Sequence, residues 1–260
     1  DTITPTLSGV SIASNNTTTM LAKPGDDVTL TLTASEAIDT PVVTFKSGGA
    51  AITDGSIVYS NTSGNTWTAT YTVNTSDTDG PISYSIAFSD TAGNAGTAVT
   101  SGTGSVTTDT SSPTLNNVSL TSNNGDPTKA TPTDTVTLNF TASETIQSPA
   151  VTFLSSGAAI NGNISVSNTG GNRWTASFPV ASNDTAGPVT FGILFNDLAG
   201  NPGIEVTATN DSSSVAVVID SDLPTLLSSS PSNGSKSAKL DQNIILEFSE
   251  DIIAGSGQIK

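Results

Sequence analysis

Hydrophobic positions in this chain recur with period two. Val28, Leu30, Leu32 and Ala34 alternate with threonines. Trp67, Ala69, Tyr71 and Val73 alternate with Thr68, Thr70 and Thr72, and Ile82, Tyr84, Ile86 and Phe88 alternate with serines and one alanine. Successive side chains of an extended chain point to opposite faces, so each segment predicts a strand with one buried face and one wet face. No segment carries a convincing helical period. Gly, Pro, Asn and Ser separate the strand segments. An all-β fold follows, in which about seven antiparallel strands per hundred residues make an immunoglobulin-like sandwich.

The pattern repeats. VTLTLTASE (Val28 to Glu36) returns as VTLNFTASE (Val136 to Glu144), 108 residues later. PVVTF at Pro41 and GAAI at Gly49 return at the same offset as PAVTF and GAAI. After a one-residue deletion, SNTSGNTWTATY (Ser60 to Tyr71) aligns with SNTGGNRWTASF (Ser167 to Phe178), and SDTAGN from Ser89 aligns with NDLAGN from Asn196. Asp-x-x-x-Pro marks three starts, at Asp1/Pro5, Asp109/Pro113 and Asp220/Pro224, and NIILEFSE (Asn243 to Glu250) echoes the strand that ends in Glu36. The expected organisation is one repeat over residues 1–109, a second over 110–220, and a divergent, incomplete third over 221–260. Two strands alone are marginally stable in water. The third piece is therefore expected to need further chain, packing on the second repeat, or a neighbouring molecule.

Composition narrows the function. Acidic residues number 23 against 7 basic, a formal charge of −16. Such a chain repels phosphate backbones and anionic bilayers, which argues against nucleic-acid partners and membrane docking. There is no apolar run long enough for a membrane span and no signal peptide, so an exported protein would carry this chain as an internal segment. Without Cys or His, zinc and haem sites of the usual kind and thiol or imidazole catalysis are excluded. The absence of disulfides leans towards a bacterial source. Trp67 and Trp174 occupy equivalent positions and read as core anchors, with sugar-stacking platforms as the alternative. Lys46 faces Leu154 in the repeat alignment, which discounts a conserved-position isopeptide crosslink.

The motifs together (Asp-x-x-x-Pro-Thr-Leu, Val-x-Leu-x-Leu-x-Ala-Ser-Glu, Trp-Thr-Ala-x-Tyr/Phe and Asp-x-Ala-Gly-Asn) resemble the bacterial immunoglobulin-like repeats of large surface adhesins. The resemblance covers residues 1 to about 222, and SPSNGSKSAKLDQNIILEFSEDI resembles a different subfamily of such repeats. It implies an exported protein of the bacterial cell surface, built of many repeats, in which calcium often stiffens the joints. It names no adhesive target.

The acids fall where such joints are expected. With Ig-like strand order, Glu36 and Glu144 close the second strand of their repeats, Asp90 and Asp197 open the F–G turns, and Asp109 lies in the linker. Asp109, Glu144 and Asp197 should therefore converge at the first joint, with Asp79 opposite. Asp220, Asp222 and Glu250 should gather at the second, with Asp184 opposite. Calcium takes six to eight oxygens, and carboxylates crowded without a cation repel one another. The competing reading makes these residues turn formers, since Asp and Asn side chains bond nearby backbone. The function expected is a stalk or spacer and not an enzyme. Its partners are neighbouring repeats, with other copies of the chain if the third piece is completed in trans. A carbohydrate-binding accessory module is the remaining alternative.

Overall fold

The computed structural model describes residues 1–53, 56–211, 216–236, 239 and 241–252. Each of the first two repeats folds as two sheets around its own core. In the first, β1 (Leu7–Ser14), β3 (Asp27–Ala34), β7 (Thr66–Thr72) and β6 (Val58–Ser63) form one sheet in that order. The other sheet has the order β2 (Leu21–Ala22), β9 (Thr107–Thr108), β8 (Gly80–Ala87), β4 (Val42–Ser47), β5 (Ala50–Ala51). With β1 as strand A, this is the A-B-E-D sheet facing A′-G-F-C-C′, an immunoglobulin-like pairing.

The second repeat reproduces it. β10 (Leu115–Ser122), β12 (Thr135–Ala142), β16 (Arg173–Pro179) and β15 (Ser165–Gly170) make one sheet. β11 (Lys129–Ala130), β18 (Val218–Ile219), β17 (Gly187–Leu194), β13 (Ala150–Ser155) and β14 (Ala158–Ala159) make the other. Among the described residues each repeat thus has nine strand segments where the periodicity predicted about seven. The extra ones are two residues long. Strand A breaks after β1 and its continuation, β2, crosses to the opposite sheet, where it runs parallel to β9. Two-residue strands carry no readable alternation, so sequence periodicity misses them.

The alternation decides which face is buried. Along β3 the pattern is strict: Val28, Leu30, Leu32 and Ala34 are buried and the intervening threonines are half-buried. Tyr71 on β7 meets Phe45 on β4 across the sandwich, with ring centroids 4.8 Å apart and an interplanar angle of 44°. Phe178 and Phe153 do the same in the second repeat, at 4.8 Å and 50°. These tilted aromatic pairs join strand E of one sheet to strand C of the other. Trp67 and Trp174 are half-buried and pack against their respective cores.

Beyond Asp220 the architecture changes. β19 (Leu226–Ser230) and β20 (Ile245–Phe248) form an antiparallel pair. It reproduces the first pairing of each full repeat: the Ser249 amide bonds the Thr225 carbonyl and Thr225 N–H bonds Ser249 Oγ, as Ser35 and Thr6 do, and Ser143 and Thr114. Here Leu223, Leu226, Leu227, Ile244 and Ile245 are all exposed. The pair has the register of the first two strands of a sandwich, and among the described residues no second layer buries its apolar side chains.

Candidate functional site at the joint between the repeats

Four chain segments meet where the first sandwich ends and the second begins. Asp109 follows β9 in the linker, Glu144 follows β12, Asp197 follows β17, and Asp79 closes the turn before β8. Asp109, Glu144 and Asp197 each place a carboxylate oxygen within 4.8 Å of the others. Two oxygens bound to one calcium at about 2.3–2.6 Å lie no farther apart than roughly 5 Å, so this spacing fits a shared cation. The electrostatics agree. Burial raises the Glu144 pKa above its ordinary value, and the charges of Asp109, Asp197 and Asp79 add to the rise. Burial likewise raises the Asp109 pKa; the Ser111 N–H opposes the rise, while Asp197 and Asp79 add to it.

The turns that present these acids are built by their own side chains. Asp197 Oδ1 accepts the Gly200 and Asn201 amides at 2.6 and 2.8 Å, and Oδ2 accepts Asn201 Nδ2 at 2.7 Å. Gly200 has φ of +93°, a conformation that glycine adopts freely and β-carbon residues avoid. Asn201 Nδ2 also donates to the Asp109 carbonyl at 2.9 Å, which ties the turn to the linker. The turn-forming role of Asp-x-Ala-Gly-Asn and its place in the carboxylate cluster therefore coexist in one side chain.

The leading end of the first repeat carries the same arrangement. Asp1, Glu36 and Asp90 bring carboxylate oxygens within 4.8 Å of one another. Asn94 Nδ2 donates to Asp90 Oδ2 at 2.7 Å and to the Asp1 carbonyl at 3.2 Å. That side-chain bond, helped by the Asn94, Ala92 and Gly93 amides, outweighs burial and holds the Asp90 pKa below its ordinary value. Asp1 was not among the expected ligands, although its Asp-x-x-x-Pro motif is shared with Asp109 and marks the equivalence.

The remaining expected residues fare differently. Asp79 faces the joint, but its oxygens are engaged: Oδ1 accepts Thr110 N at 2.6 Å and Thr110 Oγ1 at 2.8 Å, and Oδ2 accepts Ser111 Oγ at 2.7 Å. Asp184 does not face the second joint. It is buried in its own repeat, where its carboxylate accepts Asn161 N at 2.6 Å and Ala181 N at 2.8 Å. The repeat alignment explains this: Asp184 corresponds to Asp77, which likewise bonds the Thr53 and Asn74 amides, and the counterpart of Asp79 is Ala186. Asp220, Asp222 and Glu250 form no three-carboxylate group of this kind among the described residues.

Two contacts across the joint have no acidic signature and were not expected. Asn16, between β1 and β2, donates Nδ2 to the Ala199 carbonyl of the second repeat at 2.8 Å and to Asp26 Oδ2 at 2.7 Å. The Lys23 side chain lies against Gly200 and pairs with Asp26 at 2.9 Å. A long-range bond from a loop asparagine leaves no periodic trace in a sequence already rich in asparagine.

No family model matches the chain, and no curated protein does. Among solved structures it is similar to the titin I-band fragment I67–I69, at 13% identity and a TM-score of 0.45, covering 84% of this chain and 66% of that one, slightly under two thirds of its length. It is also similar to the titin tandem A164–A165, at 15% identity and a TM-score of 0.27, covering 84% of this chain and 97% of that one. The immunoglobulin-like architecture rests on the strand pairing itself.

Proposed function

We propose that the chain is a stalk segment of an exported bacterial surface protein, an adhesin, whose joints are stiffened by calcium. The observation that carries this reading is the convergence of Asp109, Glu144 and Asp197 from three separate segments onto the boundary between two stacked sandwiches. Repulsion among these acids favours a cation there. Calcium suits an all-oxygen donor set. The work of such a segment is mechanical: it sets length and stiffness, and its −16 charge keeps an extended rod soluble. Nothing in this reading calls for catalysis.

The test is a thermal melt of the whole chain in chelator and in millimolar calcium, with small-angle scattering on the same samples. A higher melting temperature and a narrower spread of conformations in calcium support the reading. Identical curves overturn the calcium part and leave a cation-independent spacer. A second reading, assembly of copies through the open third piece, draws support from the exposed Leu226, Leu227, Ile244 and Ile245. Sedimentation over a concentration series separates a monomeric stalk from a polymerising subunit.

A further inference from the structure

The two joints share a backbone and differ in chemistry. Gly80 and Gly187 occupy the same place before the F strand, with φ of +135° and +139°. The residue before each is Asp79 in the first repeat and Ala186 in the second. Each repeat has a groove at its trailing end. The first is lined by Asp79, Thr107, Asp109, Ser111 and Glu144, and the second by Lys129, Ala186, Val218, Ile219 and Asp220. The linker changes in step: Thr110 and Ser111 in the first joint correspond to Ser221 and Asp222 in the second.

We infer that the two joints are mechanically unequal: the first is latched by Asp79 gripping Thr110 and Ser111, and the second, lacking that grip, is a hinge. The latch consists of three hydrogen bonds from the linker to one carboxylate. Bonds to an ionised acceptor are the stronger kind. Asn16 to Ala199 and Asn201 to Asp109 complete the first joint on either side. In the second, Ala186 offers no side-chain acceptor, and a carboxylate, Asp222, stands where Ser111 donates. Both linkers leave their sandwich alike, Asp109 N bonding the Ala22 carbonyl and Asp220 N the Ala130 carbonyl. Past that point, among the described residues, the Asp222 amide bonds only Asp220 Oδ1, at 3.3 Å. The latch is made of protein atoms alone, so it acts with or without a cation and does not depend on the calcium reading.

The chain has no cysteine, so introduced cysteines give unique labels. Spin labels at Thr62→Cys and Thr169→Cys, both exposed, report the angle between the first two repeats. Distance distributions are measured by pulsed electron resonance in the full chain, in chelator and again in calcium. The expected result is a narrow peak that Asp79→Ala abolishes in both conditions. The double variant Thr110→Val, Ser111→Ala removes the side-chain donors and keeps the acid; it should broaden the peak as well. If only Asp79→Ala has an effect, the Thr110 and Ser111 hydroxyls do not hold the linker and the three-bond latch is wrong. If neither has an effect, the first joint is held without it and the inference fails. Circular dichroism melts of both variants check that the sandwiches remain folded. Ala186→Asp with Asp222→Ser transplants the latch; labels at Thr169→Cys and Asn233→Cys should then sharpen, and an unchanged spread would count against the inferred hinge.

Discussion

The side-chain amide of Asn16 donates to the carbonyl of Ala199 at 2.8 Å, bridging two sandwiches across 183 residues of chain. The same amide holds Asp26, so a single side chain ties the internal order of one repeat to the position of the next. Its counterpart Asn124 bonds Asp134 at 2.7 Å.

That pair gives a matched comparison. Asn16→Ala removes the Asp26 bond, the cross-joint bond and the Thr17 hydroxyl and Thr18 amide bonds to its Oδ1, whereas Asn124→Ala removes the Asp134 bond and the Asp126 amide bond to its Oδ1. Each lost bond costs about 1 kcal/mol. Chemical denaturation should therefore show a larger loss for Asn16→Ala, and the spin-label spread across the first joint should widen only for that variant.

Asp26 and Asp134 each contribute an acid-side pH dependence to stability. Burial tends to raise the Asp26 pKa, but the Lys23 amide, the Asn16 amide and the Lys23 ammonium outweigh it and hold the carboxyl below its ordinary 3.8. Asn124, with the Thr131 amide and hydroxyl, does the same for Asp134. Both folded values are lowered, so the unfolded chain binds more protons in the window just below 3.8. Their stabilisation is present above that value and is lost as pH falls through the lowered folded values. Denaturant midpoints measured at descending acid pH should fall, and Asn124→Ala should flatten the fall.

The proposed calcium site predicts a site-specific signature of calcium removal. A ligand at 100 times its Kd adds about 2.7 kcal/mol to the state that binds it. Glu144→Gln should abolish most of the calcium-dependent rise in the second repeat's melt. Glu36→Gln should leave the first joint's scattering response to calcium intact, because its cluster lies at the other end of the first repeat. Isothermal titration of both variants gives the stoichiometry.

The cores differ in one polar feature around Tyr71. The Tyr71 hydroxyl is buried beside Thr108, whose hydroxyl oxygen accepts from Ser47 Oγ at 2.8 Å, and it has no hydrogen-bond partner. Burial, partly offset by Thr108 and reinforced by the charge of Asp77, pushes its pKa up to about 12. The second repeat has Phe178 and Ile219 at these positions. Tyr71→Phe with Thr108→Ile should therefore stabilise the first repeat by about 1 kcal/mol, read as a higher melting temperature. Phe45→Ala, which empties the facing position, should cost about 3–5 kcal/mol.

Gly96 and Gly203 supply a packing test. A β-carbon at either position would enter the ring of Phe88 or Phe195. Gly96→Ala should cost about 1–3 kcal/mol by overpacking, whereas Gly64→Ala should act only through its left-handed backbone, since nothing lies near its β-carbon. Parallel denaturation curves distinguish them.

Much of this protein was legible in its residues. The alternation of Val28, Leu30 and Leu32 with threonine determined which face of the strand is buried, because side chains on a pleated strand have no other choice. The 108-residue recurrence showed two copies of one architecture, and the linker and turn acids Asp109, Glu144 and Asp197 were expected to meet because that architecture brings the relevant loops to one end. Tertiary structure decided the rest. Asp184, like its counterpart Asp77, turned inward to bond backbone amides, while Asp79, two residues further along the turn, holds the linker. The two-residue strands, the Asn16–Ala199 bridge and the contrast between Asp79 and Ala186 lie between segments far apart in sequence. Periodicity reports only how each segment meets its own core; what one loop does to another depends on how the folded ends meet.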